Sequence, residues 1–168
     1  KIEPLGGGMT NLNFKVIDGT DKYAVRLGTD DLVHLISRAN ERATCEAAFE
    51  AGLSPELIHA ETGVLVTRFI EGQVFQEANV RNDSNLIRIT QLIRSFHQAI
   101  PINFQQIPVM FWVFQILRHY QNVLNQSGTQ YRNRLVELNN QAATLEKAVG
   151  KIDIVFGHND LLAANFID

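Results

Sequence analysis

The sequence has little of several things that would place it in a special class of protein. It contains a single cysteine, Cys45, so no disulfide can form within the chain. Its longest unbroken apolar run, residues 109–114, has six residues, against the ~20 that a membrane-spanning helix needs. No basic segment followed by an apolar one opens the chain, as a secretory signal would. These absences predict a cytoplasmic protein with no membrane partner.

The charge balance and the missing motifs exclude further classes. Lys and Arg number 15 against 18 Asp and Glu, a formal charge of −3, so the chain has no net attraction for a nucleic-acid backbone and we expect no such partner. The patterns H-E-x-x-H, C-x-x-C and G-x-S-x-G are absent, which argues against a zinc hydrolase, a thiol redox protein and a serine hydrolase.

What is present in residues 1–72 is the pattern of a small antiparallel sheet with one helix. Alternation of apolar and polar residues, together with turn chemistry, predicts two hairpins, with turns near residues 18–21 and 61–63. Good helix formers at residues 37–51 predict one helix between the hairpins, and Gly52 is placed to end it.

From residue 83 onward the apolar residues recur at helical spacing. This pattern predicts three helices, of which the first is capped by Asp83 or Ser84 and ended by Pro101. A short apolar strand is then predicted at residues 152–156.

Together the two patterns predict an α+β protein with two lobes, because a sheet is followed by helices without strand–helix alternation. We place an N-terminal lobe at residues 1–72 and the first part of a helical C-terminal lobe at residues 73–168. The chain starts without methionine and stops one residue after the apolar pair Phe166-Ile167, so we expect it to be a piece of a longer protein.

The sharpest chemical signal lies at residues 156–168, where an apolar segment runs into a polar turn. His158 and Asp160 stand in this turn, and Asn165 follows five residues after Asp160. Phosphoryl transfer needs a carboxylate that orients and deprotonates an attacking hydroxyl, with an oxygen ligand for Mg²⁺ nearby. An Asp and an Asn at this spacing, in a loop between two strands, can face one cleft in those roles. The alternative is that Asp160 only caps a turn and Asn165 is a loop residue.

A second signal is the glycine segment, residues 6–11, which opens directly into a predicted strand. Glycine N–H groups can approach phosphate oxygens closely because no Cβ stands in the way. No Gly-Lys-Ser/Thr follows, and Asn11 stands where the third glycine of G-x-G-x-x-G would be. The segment is therefore either a loop that covers phosphates or an ordinary turn.

A third signal is Arg26, a cation within an apolar strand, together with Glu41 on the following helix. A guanidinium group can grip phosphate with two donors, and a helical carboxylate can orient it. The alternative is that Arg26 points to solvent and Glu41 belongs to a charged helix face. Cys45, on the same helix, is interpreted as a small buried hydrophobic residue.

These signals follow one another in the order of protein kinases: glycine loop, strand cation, helical glutamate, hinge, catalytic loop and asparagine. The chain resembles the choline/ethanolamine kinases, within the aminoglycoside-phosphotransferase and protein-kinase-like group, over nearly all its length. Residues 158–166, His-Asn-Asp-Leu-Leu-Ala-Ala-Asn-Phe, are similar to the family's catalytic loop, and residues 7–11, Gly-Gly-Met-Thr-Asn, to its nucleotide loop. Residues 53–57 resemble its link after the helix, and residues 66–72 its hinge.

The resemblance implies a protein-kinase-like bilobal fold that binds ATP and Mg²⁺. It makes Asp160 the general base, with His158 beside it in the catalytic loop, and Asn165 a Mg²⁺ ligand. Arg26, paired with Glu41, would hold the ATP phosphates. The other nucleotide-binding residues that it implies lie in the glycine segment and in the hinge, where backbone groups would pair with adenine: Gly6, Gly7, Gly8, Thr10, Asn11, Arg68, Phe69 and Ile70.

We therefore expect an ATP-dependent small-molecule kinase that transfers the γ-phosphoryl group to an alcohol, with choline or ethanolamine as the acceptor. Three alternatives stay open: a kinase for thiamine, an aminoglycoside or another hydroxyl compound; a nucleotide-binding pseudokinase without turnover; and a helical domain with a structural role. The family's second metal-binding aspartate follows the catalytic loop, beyond residue 168. The sequence determines neither the acceptor nor the oligomeric state.

Overall fold

A computed structural model describes residues 1–6, 11–31 and 33–168 of the chain. In these ranges the strands come first and the long helices second, which confirms the predicted α+β class. The strands are β1 (Ile2–Leu5), β2 (Leu12–Asp18), β3 (Asp21–Leu27), β4 (Leu57–Glu61) and β5 (Val64–Arg68). The helices are α1 (Arg38–Glu50), α2 (Glu77–Val80), α3 (Asp83–Asn103), α4 (Val113–Gln126) and α5 (Arg132–Val149), and a 3₁₀ turn covers Ala163–Asn165.

The five strands form one antiparallel sheet in the order β1-β2-β3-β5-β4. Both predicted hairpins are present, and glycine at a left-handed φ occupies each turn, with φ of 60° at Gly19 and 83° at Gly63. The edge strand β1, which the pattern did not predict, pairs with β2 from Ile2 opposite Val16 to Leu5 opposite Asn13. This sheet carries Arg26 on a central strand.

Helix α1 begins and ends where its capping residues predict. The Ser37 hydroxyl accepts a hydrogen bond from the N–H of Asn40 at 3.3 Å, and Gly52 follows the last turn at φ 70°. The buried alanines Ala47 and Ala48 let α3 approach closely and pack with fully buried Ile100. The larger side chains around this core cluster are Leu53, Phe96, Phe104 and Phe156.

Helix α3 corrects two predictions. Its cap is Asn82, whose Oδ1 accepts the N–H of Ser84 at 3.0 Å, and not Asp83 or Ser84. The helix also runs through Pro101 to Asn103. A proline in the last turn removes only one intrahelical hydrogen bond, and the burial of Ile100 against α1 holds that turn in place.

The strand predicted at residues 152–156 is absent, so the catalytic loop does not lie between two strands. Phe156 is held instead by side-chain packing, with its ring centroid 5.0 Å from that of Phe104 and 6.0 Å from that of Phe96. After the loop, a single antiparallel bridge joins Ile167 to Val74. Of the apolar residues in this segment, Phe156 packs on α3, whereas Ile152, Ile154 and Val155 are exposed.

By its contacts the described chain forms two compact units. The first contains the sheet, α1 to α3 and the catalytic loop, in residues 1–30, 37–106 and 155–168. The second, residues 31–36 and 107–154, contains α4 and α5, which Arg118 and Glu146 join by an ion pair of 2.7 Å. The division into lobes at residue 72 stays a prediction. Among the described helices, none is both long and apolar enough to cross a membrane.

Candidate active site

The predicted catalytic loop brings Asp160 and Asn165 together. The Nδ2 of Asn165 donates to Oδ2 of Asp160 at 2.9 Å and to its backbone carbonyl at 2.8 Å. Two local features make this contact possible. Asn159 adopts a left-handed φ of 61°, which asparagine tolerates better than most residues, and the 3₁₀ turn Ala163–Asn165 carries the amide back toward Asp160.

The two hydrogen bonds leave oxygen atoms available at the same place. Because the amide nitrogen of Asn165 is used by Asp160, its Oδ1 points away from that bond. In the described ranges no hydrogen bond is made by Oδ1 of Asn165 or by Oδ1 of Asp160. Both side chains are exposed to solvent. The loop therefore presents one carboxylate oxygen and one amide oxygen that no described hydrogen bond uses, a donor set that suits a hard cation or a hydroxyl proton.

His158 stands two residues before Asp160, but its ring turns toward α3. The ring packs edge-on against Phe96, with 6.1 Å between centroids. It also lines a largely apolar cavity of about 270 Å³ between α1, α3 and the loop. No described hydrogen bond joins it to Asp160. These contacts are those of a residue that anchors the loop, and the catalytic role predicted for His158 stays a prediction.

Cys45 lines the same cavity from the α1 side. Burial raises the pKa of its thiol to about 11, and the nearby Glu41 carboxylate adds to the effect. The thiol is therefore protonated at neutral pH, as befits the small buried hydrophobic residue that the sequence analysis took it to be.

The far end of the loop is held by pairing with residues 73–75. The N–H of Gln73 donates to the carbonyl of Asp168 and the N–H of Asp168 to that of Gln73, both at 3.0 Å. The Asp168 side chain forms an ion pair with Arg88 on α3, and that hydrogen-bonded cation lowers the pKa of the carboxyl. Gly72 makes room, since a Cβ there would lie 2.5 Å from the Asp168 carbonyl oxygen. The loop that carries Asn165 is thereby fixed at its exit.

A second cluster forms around Glu41 on α1. Arg26, on β3, donates from Nη1 to Oε1 of Glu41, and its Nε lies 3.4 Å from Oδ1 of Asn13 on β2. The side chain of Arg26 is 45% exposed and that of Glu41 only 18%. Arg26 therefore reaches solvent, as the alternative interpretation expected. Unlike a freely solvated arginine, however, it is held by the Glu41 carboxylate.

Sequence reasoning missed Arg38, the first residue of α1, which also binds Glu41. Its Nη1 donates to Oε2 of Glu41 at 2.7 Å and its Nη2 to Oδ1 of Asn11 at 2.5 Å. The spacing of three residues between Arg38 and Glu41 was the available signal, because residues i and i+3 share a helix face. The contact to Asn11 had no such signal.

The glycine segment is described only at its ends. Gly6 is exposed after β1, and Asn11 precedes β2 with its side chain on Arg38. The predicted nucleotide-binding residues Gly7, Gly8 and Thr10 lie outside the described residues.

The predicted hinge residues begin at the end of β5. The N–H of Arg68 donates to the Glu56 carbonyl at 2.9 Å, and that of Phe69 to the Lys22 carbonyl at 3.0 Å. The guanidinium of Arg68 binds Asp21 and Glu56, at 3.1 and 3.4 Å. Ile70 is 43% exposed, and no described hydrogen bond uses its backbone. The N–H groups of Arg68 and Phe69 are therefore used within the protein, whereas no described hydrogen bond uses that of Ile70.

These two clusters lie in the same compact unit, and no described contact joins them. Their residues follow the order expected of a kinase, and comparison with known proteins tests that expectation. The sequence profile of the choline/ethanolamine kinase family matches residues 2–168. The chain belongs to this family.

This chain resembles other members of the family in sequence and fold. It is 26% identical over 180 residues to a probable ethanolamine kinase of Arabidopsis thaliana, in an alignment that covers 99% of this chain and 47% of that protein. A choline/ethanolamine kinase family protein of Mesorhizobium loti is 30% identical, with a TM-score of 0.70 and coverage of 100% and 54%. Plasmodium vivax ethanolamine kinase is 18% identical, with a TM-score of 0.80 and coverage of 99% and 52%.

The chain thus spans about half the length of the relatives it matches. The predicted family and the protein-kinase-like fold are confirmed. The roles assigned to single residues stay predictions.

Proposed function

We propose that the protein is a kinase that transfers the γ-phosphoryl group of ATP to the hydroxyl of choline or ethanolamine. The observation that carries this proposal is the contact of Asn165 Nδ2 with Asp160 Oδ2 at 2.9 Å, in a chain of the choline/ethanolamine kinase family. The acceptor is a small-molecule alcohol, and a cytoplasmic location stays the prediction made from the sequence.

In this proposal Asp160 is the general base. The hydrogen bonds from Asn165 to Oδ2 and to the backbone carbonyl restrict rotation of the carboxylate, and Oδ1 is the acceptor that they leave. The acceptor's hydroxyl oxygen forms a bond to the γ-phosphorus while the bond from that phosphorus to the β,γ-bridging oxygen breaks and ADP leaves. The hydroxyl proton passes to the Asp160 carboxylate. A base that is already oriented avoids the entropic cost of finding the proton.

The donor set at the loop fits Mg²⁺ with few protein ligands. Mg²⁺ prefers oxygen ligands and keeps several waters or phosphate oxygens, so one or two side-chain oxygens from the protein suffice. Asn165 Oδ1 is the ligand that this chain would offer, beside the Asp160 carboxylate. Among the described residues no group of three or more His, Cys, Asp or Glu could hold a metal ion. When bound, Mg²⁺ neutralises charge on the phosphates.

Arg26 is the phosphate ligand of the proposal. Glu41 and Asn13 restrain its guanidinium, while almost half of the side chain stays exposed to accept an anion. Arginine suits this task because its planar fork can donate two hydrogen bonds to a phosphate. The glycine segment and the Ile70 backbone would complete the nucleotide site, at the phosphates and at the adenine respectively.

The decisive experiment is to replace Asp160 by alanine in the full-length protein and to measure ADP release with choline and with ethanolamine. Loss of a positioned general base should lower kcat by ~10²–10⁴. Asp153→Ala is the matched control, because Asp153 is an exposed carboxylate seven residues earlier, and we expect it to keep its kcat. An Asp160→Ala kcat within about tenfold of wild type would remove Asp160 from the base role.

An acceptor screen and a binding measurement separate the alternatives. Turnover with thiamine or an aminoglycoside, and none with choline or ethanolamine, would change the acceptor and keep the reaction. Stabilisation by MgATP without turnover on any acceptor would indicate a pseudokinase, since ligand at a hundred times its Kd adds ~2.7 kcal/mol to the stability of a binding fold. No thermal shift with MgATP would contradict nucleotide binding altogether.

A further inference from the structure

Arg38 connects parts of the chain that belong to different elements. Its three guanidinium nitrogens each donate a hydrogen bond: Nη1 to Glu41 on α1 at 2.7 Å, Nη2 to Asn11 before β2 at 2.5 Å, and Nε to the Thr29 carbonyl after β3 at 3.1 Å. Its own N–H donates to Asp30 Oδ1 at 2.7 Å. The side chain is only 16% exposed, unlike an ordinary surface arginine.

The backbone after β3 is shaped to admit this side chain. A Cβ at Gly28 would lie 2.5 Å from Arg38 Nη2 and 2.6 Å from Asn11 Oδ1, so any side chain there would displace the contact between them. The φ of Gly28 is not in the left-handed region. Glycine is therefore needed at this position for space and not for backbone conformation.

Arg38 also determines how Glu41 meets Arg26. The carboxylate is shared, with Oε1 accepting from Arg26 and Oε2 from Arg38. With both oxygens engaged, rotation of the carboxylate is restricted, and so is the guanidinium of Arg26. Without Arg38 the carboxylate would lose one of its two anchors, and Asn11 at the end of the glycine segment would lose its partner.

We propose that Arg38 is a positioning residue for nucleotide binding, which joins the end of the glycine segment to the Arg26–Glu41 pair. The inference rests on the function proposed above and adds a residue that need not touch the nucleotide. Both guanidinium groups line one cleft of about 780 Å³ beside α1. Arg38 holds both Asn11 and Glu41. Its loss would therefore leave the end of the glycine segment and the Arg26–Glu41 pair less firmly positioned.

The test compares four variants of the full-length protein by the KM for MgATP, the KM for the alcohol and kcat. Arg38→Ala removes the connection. Gly28→Ala keeps Arg38 and pushes its flexible end away from Asn11, a change that the fold can tolerate because only side-chain tips are displaced. Arg38→Lys keeps the positive charge but lacks the planar guanidinium group, whose three nitrogens make the separate hydrogen bonds. Arg81→Ala is the control, because Arg81, at the end of α2, is an exposed arginine whose described ionic partner is Glu77 and which does not line the cleft beside α1.

Arg38→Ala and Gly28→Ala should each raise the KM for MgATP about tenfold, since small displacements of positioning groups are costly. The alcohol KM and kcat should change by less than about threefold, because only nucleotide binding is affected. Arg38→Lys should not restore the wild-type KM for MgATP, and Arg81→Ala should resemble wild type. A rise below about threefold in either of the first two variants, or an equal loss for both substrates, overturns the proposal.

A direct binding measurement separates this inference from the function on which it rests. If the wild-type protein shows no MgATP binding by calorimetry, the proposed function fails. If the wild type binds MgATP and Arg38→Ala binds it equally well, the positioning role of Arg38 fails and the proposed function stands. Without nucleotide, the melting temperature of Gly28→Ala should lie close to that of the wild type.

Discussion

Replacing Glu41 with alanine removes the carboxylate that two arginines share, and the structure lets its cost be worked out. The Arg38–Glu41 pair is well covered, with 16% and 18% of the side chains exposed, and the N–O distance is 2.7 Å. A charge-assisted hydrogen bond of this kind contributes about 1.5–3 kcal/mol. The Arg26–Glu41 pair is half-exposed on the arginine side and, after discounting for solvent screening, adds about 0–1 kcal/mol. Glu41→Ala should therefore lower the stability of α1 by about 1.5–4 kcal/mol.

Glu46→Ala is the matched control, because Glu46 lies on the same helix and binds Arg42 through a pair with about half of each side chain exposed. Such a surface pair is worth about 0.3–0.5 kcal/mol. Native-state hydrogen exchange of the α1 amides in the full-length protein measures the opening free energy of each variant. If the opening free energies of the two variants agree within about 0.5 kcal/mol, the shared Glu41 carboxylate does not stabilise α1 more than a surface ion pair does, and the reasoning is refuted.

Three further predictions concern other parts of the same unit. Iodoacetamide should alkylate Cys45 at pH 8 about two-hundredfold more slowly than a free cysteine, since its pKa is raised to about 11, and a rate equal to that of the unfolded protein would contradict this. Gly72→Ala should speed hydrogen exchange of the Gln73 amide, because the new Cβ would meet the Asp168 carbonyl; unchanged exchange would argue against the close approach. The ion pair with Arg88 lowers the pKa of Asp168 in the folded state. The stability that this pair adds is therefore fully present above the pKa of Asp168 in the unfolded chain, and it is lost as the pH falls through the pKa of Asp168 in the folded protein. Asp168→Asn should remove this contribution to the fall of the melting temperature at acid pH. If the melting temperature of the variant depends on pH as that of the wild type does, the ion pair does not stabilise the fold.

Features encoded within a few residues could be predicted from the sequence. Both hairpins follow from alternation and turn residues, and helix α1 from its run of good helix formers and the glycine after its end. The pairing of Asp160 with Asn165 also belongs here, since the two are five residues apart in one loop. In each case the groups that interact are near in the chain, so local pattern and geometry suffice.

Tertiary structure decided the features whose partners lie far apart in the chain. Arg38 hydrogen-bonds to Asn11, 27 residues earlier in the chain. The spacing of residues along a charged helix does not predict which of its arginines makes such a contact. Helix α3 continues through Pro101 because Ile100 is buried on α1. Where a strand was predicted, Phe156 instead packs its ring against Phe96 and Phe104. The sequence alone determined the family, the α+β class and the contact of Asp160 with Asn165. Packing determined which side chains hold the predicted nucleotide-binding residues in place, because burial and ion pairing depend on neighbours that only the folded chain supplies.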